Sequence, residues 1–157
     1  MVTVQKAKFN ELIHFYDMNH QPHLENNLKV KSLESHQQEF KNANTLFLSI
    51  TVKPAPDTDV DINTYQLAGY IILITDNTKN NIQLKRILID ENHIGIGQKS
   101  IIAMENYCVT ALKMERIWLD VFKSNHRANH VYEKLGYRVF KKITENSRDV
   151  LFYEKNF

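Results

Sequence analysis

The sequence predicts an α+β fold with seven strands and four helices in the order β-α-α-β-β-β-α-β-α-β-β. Three observations predict it. Apolar and polar residues alternate over 46–52, which is the period of a half-buried strand. A continuous apolar run at 87–89 leads into a glycine-bearing turn at 92–97. Apolar residues then recur at helical spacing over 101–112, which predicts a long central helix.

The first part of the chain predicts two strands with two helices between them. Residues 2–7 alternate as a strand does, and apolar residues recur at helical spacing from Phe9 to Tyr16. The polar stretch at 20–27 interrupts that helix, and a second helix is predicted over 31–42. The second strand ends at Pro54, since proline cannot donate a hydrogen bond within a sheet.

The middle of the chain predicts a hairpin of two strands, over 65–74 and 82–89, joined by a polar turn at 75–81. The preceding loop, 54–61, combines two prolines with three acids, and we interpret it as a solvated connection. A calcium loop would need a glycine and a distal glutamate that this loop lacks. Gly69 interrupts the first strand of the hairpin, which predicts a bulge or the close approach of another group.

The C-terminal part predicts a fifth strand, a short helix and a final hairpin. The strand covers 117–122, and the helix over 125–135 is followed by a glycine, as helices often are. The hairpin pairs 137–142 with 150–153. The sequence contains no repeat, linker or low-complexity segment, so we predict a single domain over residues 1–157.

The composition argues against nucleic-acid-binding, disulfide-stabilised and membrane-spanning classes of protein. The 157 residues carry a formal net charge of +2, and their basic side chains are dispersed, unlike those of a nucleic-acid-binding surface. The single cysteine, Cys108, excludes an intramolecular disulfide framework and lies in the apolar stripe of the central helix, so we expect a core residue rather than a nucleophile. No apolar run approaches the ~18 residues of a membrane span and no secretory leader is evident. We therefore expect a cytoplasmic protein without membrane or nucleic-acid partners.

The turn between the fourth strand and the central helix has the features of an anion-binding site. Two of the four glycines in the chain lie there, at 95 and 97, and glycine permits positive φ or close approach to a bound group. A helix N-terminus adds unpaired N–H groups and a favourable dipole for phosphate. An ordinary strand-to-helix turn fits the same spacing. Dinucleotide and Walker motifs do not, since Ser100 replaces a glycine and Gln98 separates Gly97 from Lys99.

A second motif follows the fifth strand. The segment Asn125 to Tyr137 contains Asn-x-x-Ala-x-x-x-Tyr-x-x-x-Gly-Tyr. With the turn at 92–97, it resembles the GNAT family of N-acetyltransferases. That family has Gln/Arg-x-x-Gly-x-Gly/Ala at the start of the long helix and the asparagine-to-tyrosine motif after the next strand. The resemblance runs from about Gly69 to Tyr137, and Asn92 departs from it because it stands where the family has Gln or Arg.

The resemblance implies a mixed, mostly antiparallel twisted sheet of about seven strands flanked by about four helices. It also implies acetyl-CoA as cosubstrate: the turn holds the pyrophosphate, and the edge of the fourth strand, splayed from the fifth, pairs with the pantetheine arm. A strand N–H near Leu88 or Ile89 would polarise the acetyl carbonyl. The implied coenzyme-binding residues are Ile87, Leu88, Ile89, Asn92, His93, Ile94, Gly95, Ile96, Gly97, Gln98, Lys99, Asn125, Ala128 and Tyr132.

Tyr132 is the catalytic general acid that the resemblance implies. A phenol that is protonated at neutral pH can give its proton to the departing thiolate of the coenzyme. Helical spacing alone favours a core aromatic at this position. Asn125 resembles the asparagine that hydrogen-bonds the pantetheine arm, with a helix N-cap as the alternative, although Ser124 would cap the same helix equally well.

The general base is less evident. An alkylammonium with a pKa of about 10.4 must lose a proton before it attacks, which costs roughly 4.6 kcal/mol at pH 7 without assistance. Family members often place a glutamate on the fourth strand, and Gln83 stands there in this chain. Candidate replacements are Asp120, Glu25, His20 and His23. An acceptor amine of lower pKa, such as a protein α-amino group, would need a base less.

We therefore predict an N-acetyltransferase that transfers the acetyl group of acetyl-CoA by direct attack of a primary amine. The amine belongs to a small molecule, with polyamines among the possibilities, or to a protein N-terminus or lysine. The alternative is a catalytically weak acetyl-CoA-binding regulatory protein of the same fold, because Gln83 cannot accept a proton. His126 and His130 lie one helical turn apart without a third ligand, so we expect no metal. The final hairpin can support a homodimer.

Overall fold

The computed structural model describes residues 1–24, 31–54, 56, 59, 61 and 63–157. Within them, the strands are β1 (Val2–Lys6), β2 (Thr45–Val52), β3 (Gln66–Asp76), β4 (Asn81–Ile89), β5 (Arg116–Phe122), β6 (Arg138–Glu145) and β7 (Arg148–Asn156). The helices are α1 (Leu12–Met18), α2 (Leu33–Phe40), α3 (Gly97–Thr110) and α4 (His126–Lys134). Short 3₁₀ turns cover Phe9–Glu11, Pro22–Leu24 and Glu91–His93. The predicted order of strands and helices is confirmed.

Two boundaries differ from the sequence prediction. The first helix opens with a 3₁₀ turn at Phe9–Glu11, where the Glu11 carboxylate accepts a hydrogen bond from the Lys8 N–H. The final hairpin is longer than predicted, because β6 is exposed along most of its length and shows no apolar alternation. Its two-residue turn, Asn146 and Ser147, has positive φ at both positions, as tight hairpin turns require.

All seven strands form one sheet in the order β1-β2-β3-β4-β5-β7-β6. Neighbouring strands are antiparallel except for β4 and β5, which are parallel. That parallel pair is short: it joins Asn81 to Arg116, Ile82 to Ile117 and Gln83 to Trp118, and no further register is formed. β4 and β5 therefore diverge after Gln83, which leaves one edge of β4 open from Leu84 to Ile89.

The sheet lies between two layers of helices. Helix α3 buries its predicted stripe, including Ile101, Met104 and Cys108, against one face, and Tyr132 of α4 joins the same cluster. Helix α1 covers the other face with Leu12, Phe15 and Met18. The two layers thus cover opposite faces of the sheet.

A buried polar cluster attaches α1 and α2 to the sheet. The Oδ1 atom of Asn19 accepts hydrogen bonds from Nη1 of Arg86, at 2.6 Å, and from the Tyr70 hydroxyl, at 3.1 Å. The Tyr70 hydroxyl lies 3.2 Å from Nε2 of His36, which is fully buried. Burial lowers the pKa of His36, so its ring is neutral at neutral pH and acts as a structural hydrogen-bond partner.

Gly69 marks the point where β3 lies closest to β4. A Cβ on Gly69 would lie 2.2 Å from the carbonyl oxygen of Leu88 and 3.1 Å from Cα of Ile89. Both are backbone atoms of β4, which cannot move aside as a flexible side chain can. The close approach predicted from the sequence is confirmed, and its partner is the neighbouring strand.

We expect Gly69→Ala to lower the free energy of unfolding by about 1–3 kcal/mol, because the methyl group would force β3 and β4 apart. Urea denaturation would measure it. Gly97→Ala is the matched control, since a Cβ there meets no heavy atom within 4 Å and the φ of Gly97 is not positive. A Gly69→Ala protein as stable as the wild type would contradict the close approach.

Candidate active site

The gap between β4 and β5 opens a cavity of about 580 Å³. That volume lies within the ~300–1,000 Å³ typical of small-molecule sites. Its walls come from β4 at 84–89, from the turn and start of α3, from β5 at 119–122 and from α4. His23 and Leu24, which follow α1, complete it on the opposite side of the sheet.

Ten of the fourteen implied coenzyme-binding residues line this cavity. They are Ile87, Leu88, Ile89, Ile94, Gly95, Gly97, Gln98, Asn125, Ala128 and Tyr132. The other four, Asn92, His93, Ile96 and Lys99, lie in the same turn and first helical turn but outside the lining. The structure thus brings both sequence motifs to one cavity, while the binding role of each residue stays a prediction.

The open edge of β4 presents alternate backbone groups. The N–H of Asp90 donates to the Ala68 carbonyl on β3 at 2.8 Å. Successive residues of a strand point their N–H and C=O groups to opposite sides, so Leu88 also pairs with β3, whereas Ile87 and Ile89 face the gap. Of the two donors expected for an acetyl carbonyl, the geometry therefore favours Ile89 over Leu88.

The N-terminus of α3 provides uncapped N–H groups. The first hydrogen bond of the helix runs from the Ser100 N–H to the Ile96 carbonyl, at 2.9 Å. No side chain caps the helix, so the N–H groups of residues 97–99 have no partner within it. Gly95 has φ +106°, and a Cβ on Gly97 would enter open space. The turn thus combines free donors with room for an anion.

Tyr132 is buried under the cavity wall. Its ring packs edge-on against Tyr137, with ring centroids 5.6 Å apart, and at a tilt of 40° against Tyr153, with centroids 6.1 Å apart. Burial raises the pKa of Tyr132, which keeps the phenol protonated at neutral pH. Among the described residues no hydrogen-bond partner is found for its hydroxyl, which leaves that group available to a ligand.

Asn125 is the N-cap of α4. Its Oδ1 atom accepts a hydrogen bond from the Ala128 N–H at 3.3 Å, so the expectation that Ser124 would cap the helix equally well is wrong. The backbone of Asn125 is not helical, with φ −81° and ψ 73°, as expected of an N-cap residue. Asn125 still lines the cavity, and the cap uses only Oδ1, so its side-chain N–H₂ group can donate to a ligand.

The candidate bases, and Gln83 at the position where the family often has glutamate, differ in whether they line the cavity. Gln83 pairs with Trp118 where β4 and β5 are still joined, and it lies outside the cavity lining. His20 is exposed, with its Nδ1 3.0 Å from the Tyr16 carbonyl oxygen, and it also lies outside the lining. Asp120 and His23 line the cavity, whereas Glu25 falls outside the described residues.

A polar clamp joins the segment after α1 to the end of β4. The Gln21 side chain donates from Nε2 to Oδ2 of Asp90 at 2.9 Å and accepts from the Glu91 N–H at 2.8 Å. Oδ1 of Asp90 accepts in turn from the Asn92 N–H. Sequence reasoning missed this clamp, because its partners are about 70 residues apart and a lone glutamine in a polar stretch carries no local signal.

Residues 13–137 match the family model described as the acetyltransferase (GNAT) family. The chain belongs to the GNAT family of acetyltransferases. The match covers most of the chain and includes both motifs that line the cavity.

Sequence relatives include polyamine acetyltransferases. The chain is 28% identical over 81 residues to the spermine/spermidine N(1)-acetyltransferase of Bacillus subtilis (strain 168), over 50% of this chain and 53% of that protein. It is 27% identical over the same length to a probable spermine N(1)-acetyltransferase of Bacillus subtilis subsp. natto, with the same coverage. The match thus spans about half the length of these curated relatives.

Solved structures show the same fold over nearly the whole chain. The spermidine N-acetyltransferase from Vibrio cholerae in complex with CoA and spermine superposes with a TM-score of 0.79 at 18% identity, over 99% of this chain and 95% of that one. A dodecameric structure of the spermidine N-acetyltransferase from Vibrio cholerae superposes with a TM-score of 0.75 at 17% identity, over 99% of this chain and 93% of that one. The predicted fold class is confirmed.

The described residues offer neither a metal site nor a membrane-spanning helix. No group of three or more His, Cys, Asp or Glu side chains is arranged to hold a metal ion there. Within the same residues, every helix is too short or too polar to cross a bilayer. The cytoplasmic location stays a prediction.

We expect Cys108 to resist alkylation in the folded protein. Burial, with the nearby Glu105 charge, raises the pKa of the Cys108 thiol to about 12, so at pH 8 almost none of it is thiolate. Iodoacetamide labelling followed by mass spectrometry should detect modification only after unfolding in urea. Rapid labelling of the native protein would contradict the buried position.

Proposed function

We propose that residues 1–157 form a single N-acetyltransferase domain that transfers the acetyl group of acetyl-CoA to a primary amine of a polyamine such as spermidine. The observation that carries the proposal is one cavity between two diverging strands. Around it lie the uncapped start of α3, the open edge of β4 and the Tyr132 hydroxyl.

The proposed coenzyme site fits the chemistry of CoA. The pyrophosphate would accept hydrogen bonds from the N–H groups of residues 97–99, with the dipole of the 14-residue helix α3 behind them. The pantetheine arm contains two amides, so it can pair with Ile87 and Ile89 as an added strand would. The Asn125 amide on the far wall provides a further hydrogen-bonding group for that arm.

The proposed reaction is a direct transfer. The Ile89 N–H faces the gap and would hold the acetyl oxygen as negative charge develops on it. The amine nitrogen attacks the carbonyl carbon, the C–S bond breaks, and the Tyr132 hydroxyl protonates the departing thiolate. Cys108 is excluded as an acetylated intermediate, because it is fully buried in the core.

Two carboxylates at the cavity favour an acceptor that carries several positive charges. Asp120 and Glu145 are exposed side chains that line the cavity, and they can pair with ammonium groups that are not acetylated. Three basic residues, Lys85, Arg86 and Arg127, also line the cavity. Lys85 donates to Glu39 at 3.0 Å and Arg86 to Asn19 at 2.6 Å, so two of the three positive charges already have protein partners. The names of the sequence relatives support the same acceptor class.

Self-association is part of the proposal. β6 forms one edge of the sheet and exposes Val139 and Phe140, which are 47% and 42% accessible. An exposed edge strand with apolar side chains is a common site of pairing with another chain. The dodecameric Vibrio cholerae neighbour supports an oligomer of unspecified order.

The proposal is tested by measuring release of free CoA thiol from acetyl-CoA in the presence of spermidine, spermine, a lysine peptide and a simple alkylamine. We expect turnover well above the rate in water, with spermidine or spermine preferred. The rival is a regulatory protein that binds acetyl-CoA without catalysis, suggested by Gln83. Calorimetric binding of CoA without turnover on any amine would favour that rival, and absence of CoA binding would remove both.

We expect Tyr132→Phe to lower kcat by about 100-fold or more, because the departing thiolate loses its proton donor. The affinity for CoA should change little, since the phenyl ring keeps its packing against Tyr137 and Tyr153. Steady-state kinetics and CoA calorimetry would measure the two quantities. Equal losses in kcat and CoA affinity would show that Tyr132 is structural.

We expect Gly97→Ala to weaken CoA binding on the order of tenfold, which is about 1.4 kcal/mol, because its methyl group would occupy space beside the free N–H groups. Calorimetry with CoA would measure the loss, and thermal unfolding should show no decrease in Tm. Unchanged CoA affinity in Gly97→Ala would place the pyrophosphate elsewhere.

A further inference from the structure

His23 is the histidine that the structure brings to the cavity from the α1 side. It lies in the 3₁₀ turn Pro22–Leu24 and lines the cavity together with Ile87, Ile89 and Tyr132. Tyr132 approaches from α4, on the opposite face of the sheet from α1. The two side chains therefore flank the position proposed for the acetyl group from different directions.

The hydrogen bond of His23 determines its tautomer. Nε2 lies 2.7 Å from the carbonyl oxygen of Ile89. A carbonyl oxygen only accepts, so Nε2 carries the hydrogen and donates it, and the neutral ring keeps its lone pair on Nδ1. The same contact holds the ring at the residue whose N–H is proposed to bind the acetyl oxygen.

Nδ1 of His23 has no hydrogen-bond partner among the described residues, and almost none of its surface is exposed to solvent. A buried acceptor without a donor is unfavourable, so a ligand that supplies an N–H at this point gains a hydrogen bond. An ammonium group is such a donor. Nδ1 of His93 is also buried without a hydrogen-bond partner, but it lies 3.7 Å from Oδ1 of Asp90 and His93 does not line the cavity.

The turn that carries His23 is fixed to the site. Gln21 lies two residues before His23. Its clamp with Asp90 and Glu91 holds the turn against the end of β4 through two hydrogen bonds. With the His23 bond to Ile89, three side-chain hydrogen bonds hold 21–23 against 89–91. A base held in this way keeps its orientation before substrate binds, which is a requirement of efficient proton transfer.

We propose that His23 is the general base of the acetyl transfer, an inference that rests on the function proposed above. Nδ1 takes one proton from the substrate ammonium, and the neutral amine then forms the C–N bond as the C–S bond breaks. Tyr132 gives its proton to the thiolate, and the second proton lost by the amine nitrogen restores Tyr132. The proton on His23 passes to solvent when the products leave.

The test compares two acceptors in wild type and in His23→Gln. Glutamine can still donate to the Ile89 carbonyl but cannot take a proton. Spermidine is protonated at neutral pH and needs a base, whereas an O-alkylhydroxylamine is already neutral. We expect His23→Gln to lower kcat/KM for spermidine by about 100-fold or more and that for the O-alkylhydroxylamine by no more than a few-fold.

His20→Gln is the matched control, because His20 is exposed and lies outside the cavity lining, and it should leave both rates unchanged. Equal losses with both acceptors in His23→Gln, or no loss with either, would overturn the role of His23 while leaving the transferase function intact. A wild-type protein without turnover on any amine would instead overturn the proposed function itself.

If His23→Gln lowers Tm or abolishes CoA binding, the wild-type ring can be examined directly. Nitrogen-15 NMR of the histidine rings should show Nε2 protonated, and the Nδ1 signal should shift when spermidine is added to the CoA-bound protein. A ring protonated on Nδ1 alone, or an Nδ1 signal indifferent to spermidine, would overturn the proposal.

Discussion

The site depends on one constraint, which is that β4 and β5 stop pairing after three residues. β4 is held by β3, where Gly69 lies directly against the Leu88 carbonyl, while β5 pairs with β7 along its whole length. Each strand thus follows its own antiparallel neighbour, and twist separates them. The separation leaves the backbone groups of Ile87 and Ile89 without a partner strand. Buried backbone groups require partners, so a cavity with such an edge is suited to a ligand that carries amides of its own.

Backbone groups also explain how a chain with a formal charge of only +2 can offer the proposed anion site. The donors at the start of α3 are main-chain N–H groups, and their strength comes from the helix rather than from lysine or arginine. Backbone donors also explain why the turn can have Asn92 where the family has glutamine or arginine. Its own N–H bonds to Asp90, so the residue shapes the entrance of the turn and the backbone of residues 97–99 provides the donors.

The elements with a regular apolar pattern and the motifs with a fixed spacing could be predicted from the sequence. The stripe of α3 and the strands β2 to β5 were predictable because each buries one face or both, and the two motifs indicated the cavity that they share. Three features could not be predicted from the sequence. β6 buries too little to show alternation, and the N-cap choice between Ser124 and Asn125 depends on backbone angles. The side chains of Gln21 and His23 bond to side-chain or backbone groups 66 to 70 positions away. Such contacts are set by the tertiary fold and leave no local pattern.

The burial of Tyr132 affects the proton transfer that we propose for it, and residue types alone do not show this effect. It raises the pKa of Tyr132, which taken alone widens the difference from a coenzyme thiol with an ordinary pKa of about 8.5. A thiol in the same surroundings shifts in the same direction, as Cys108 does in the core, where burial with the Glu105 charge raises its pKa to about 12. A coenzyme sulfur enclosed beside Tyr132 therefore becomes more basic as the phenol becomes less acidic. Because the two shifts have the same sign, enclosure of the sulfur keeps the phenol able to protonate it.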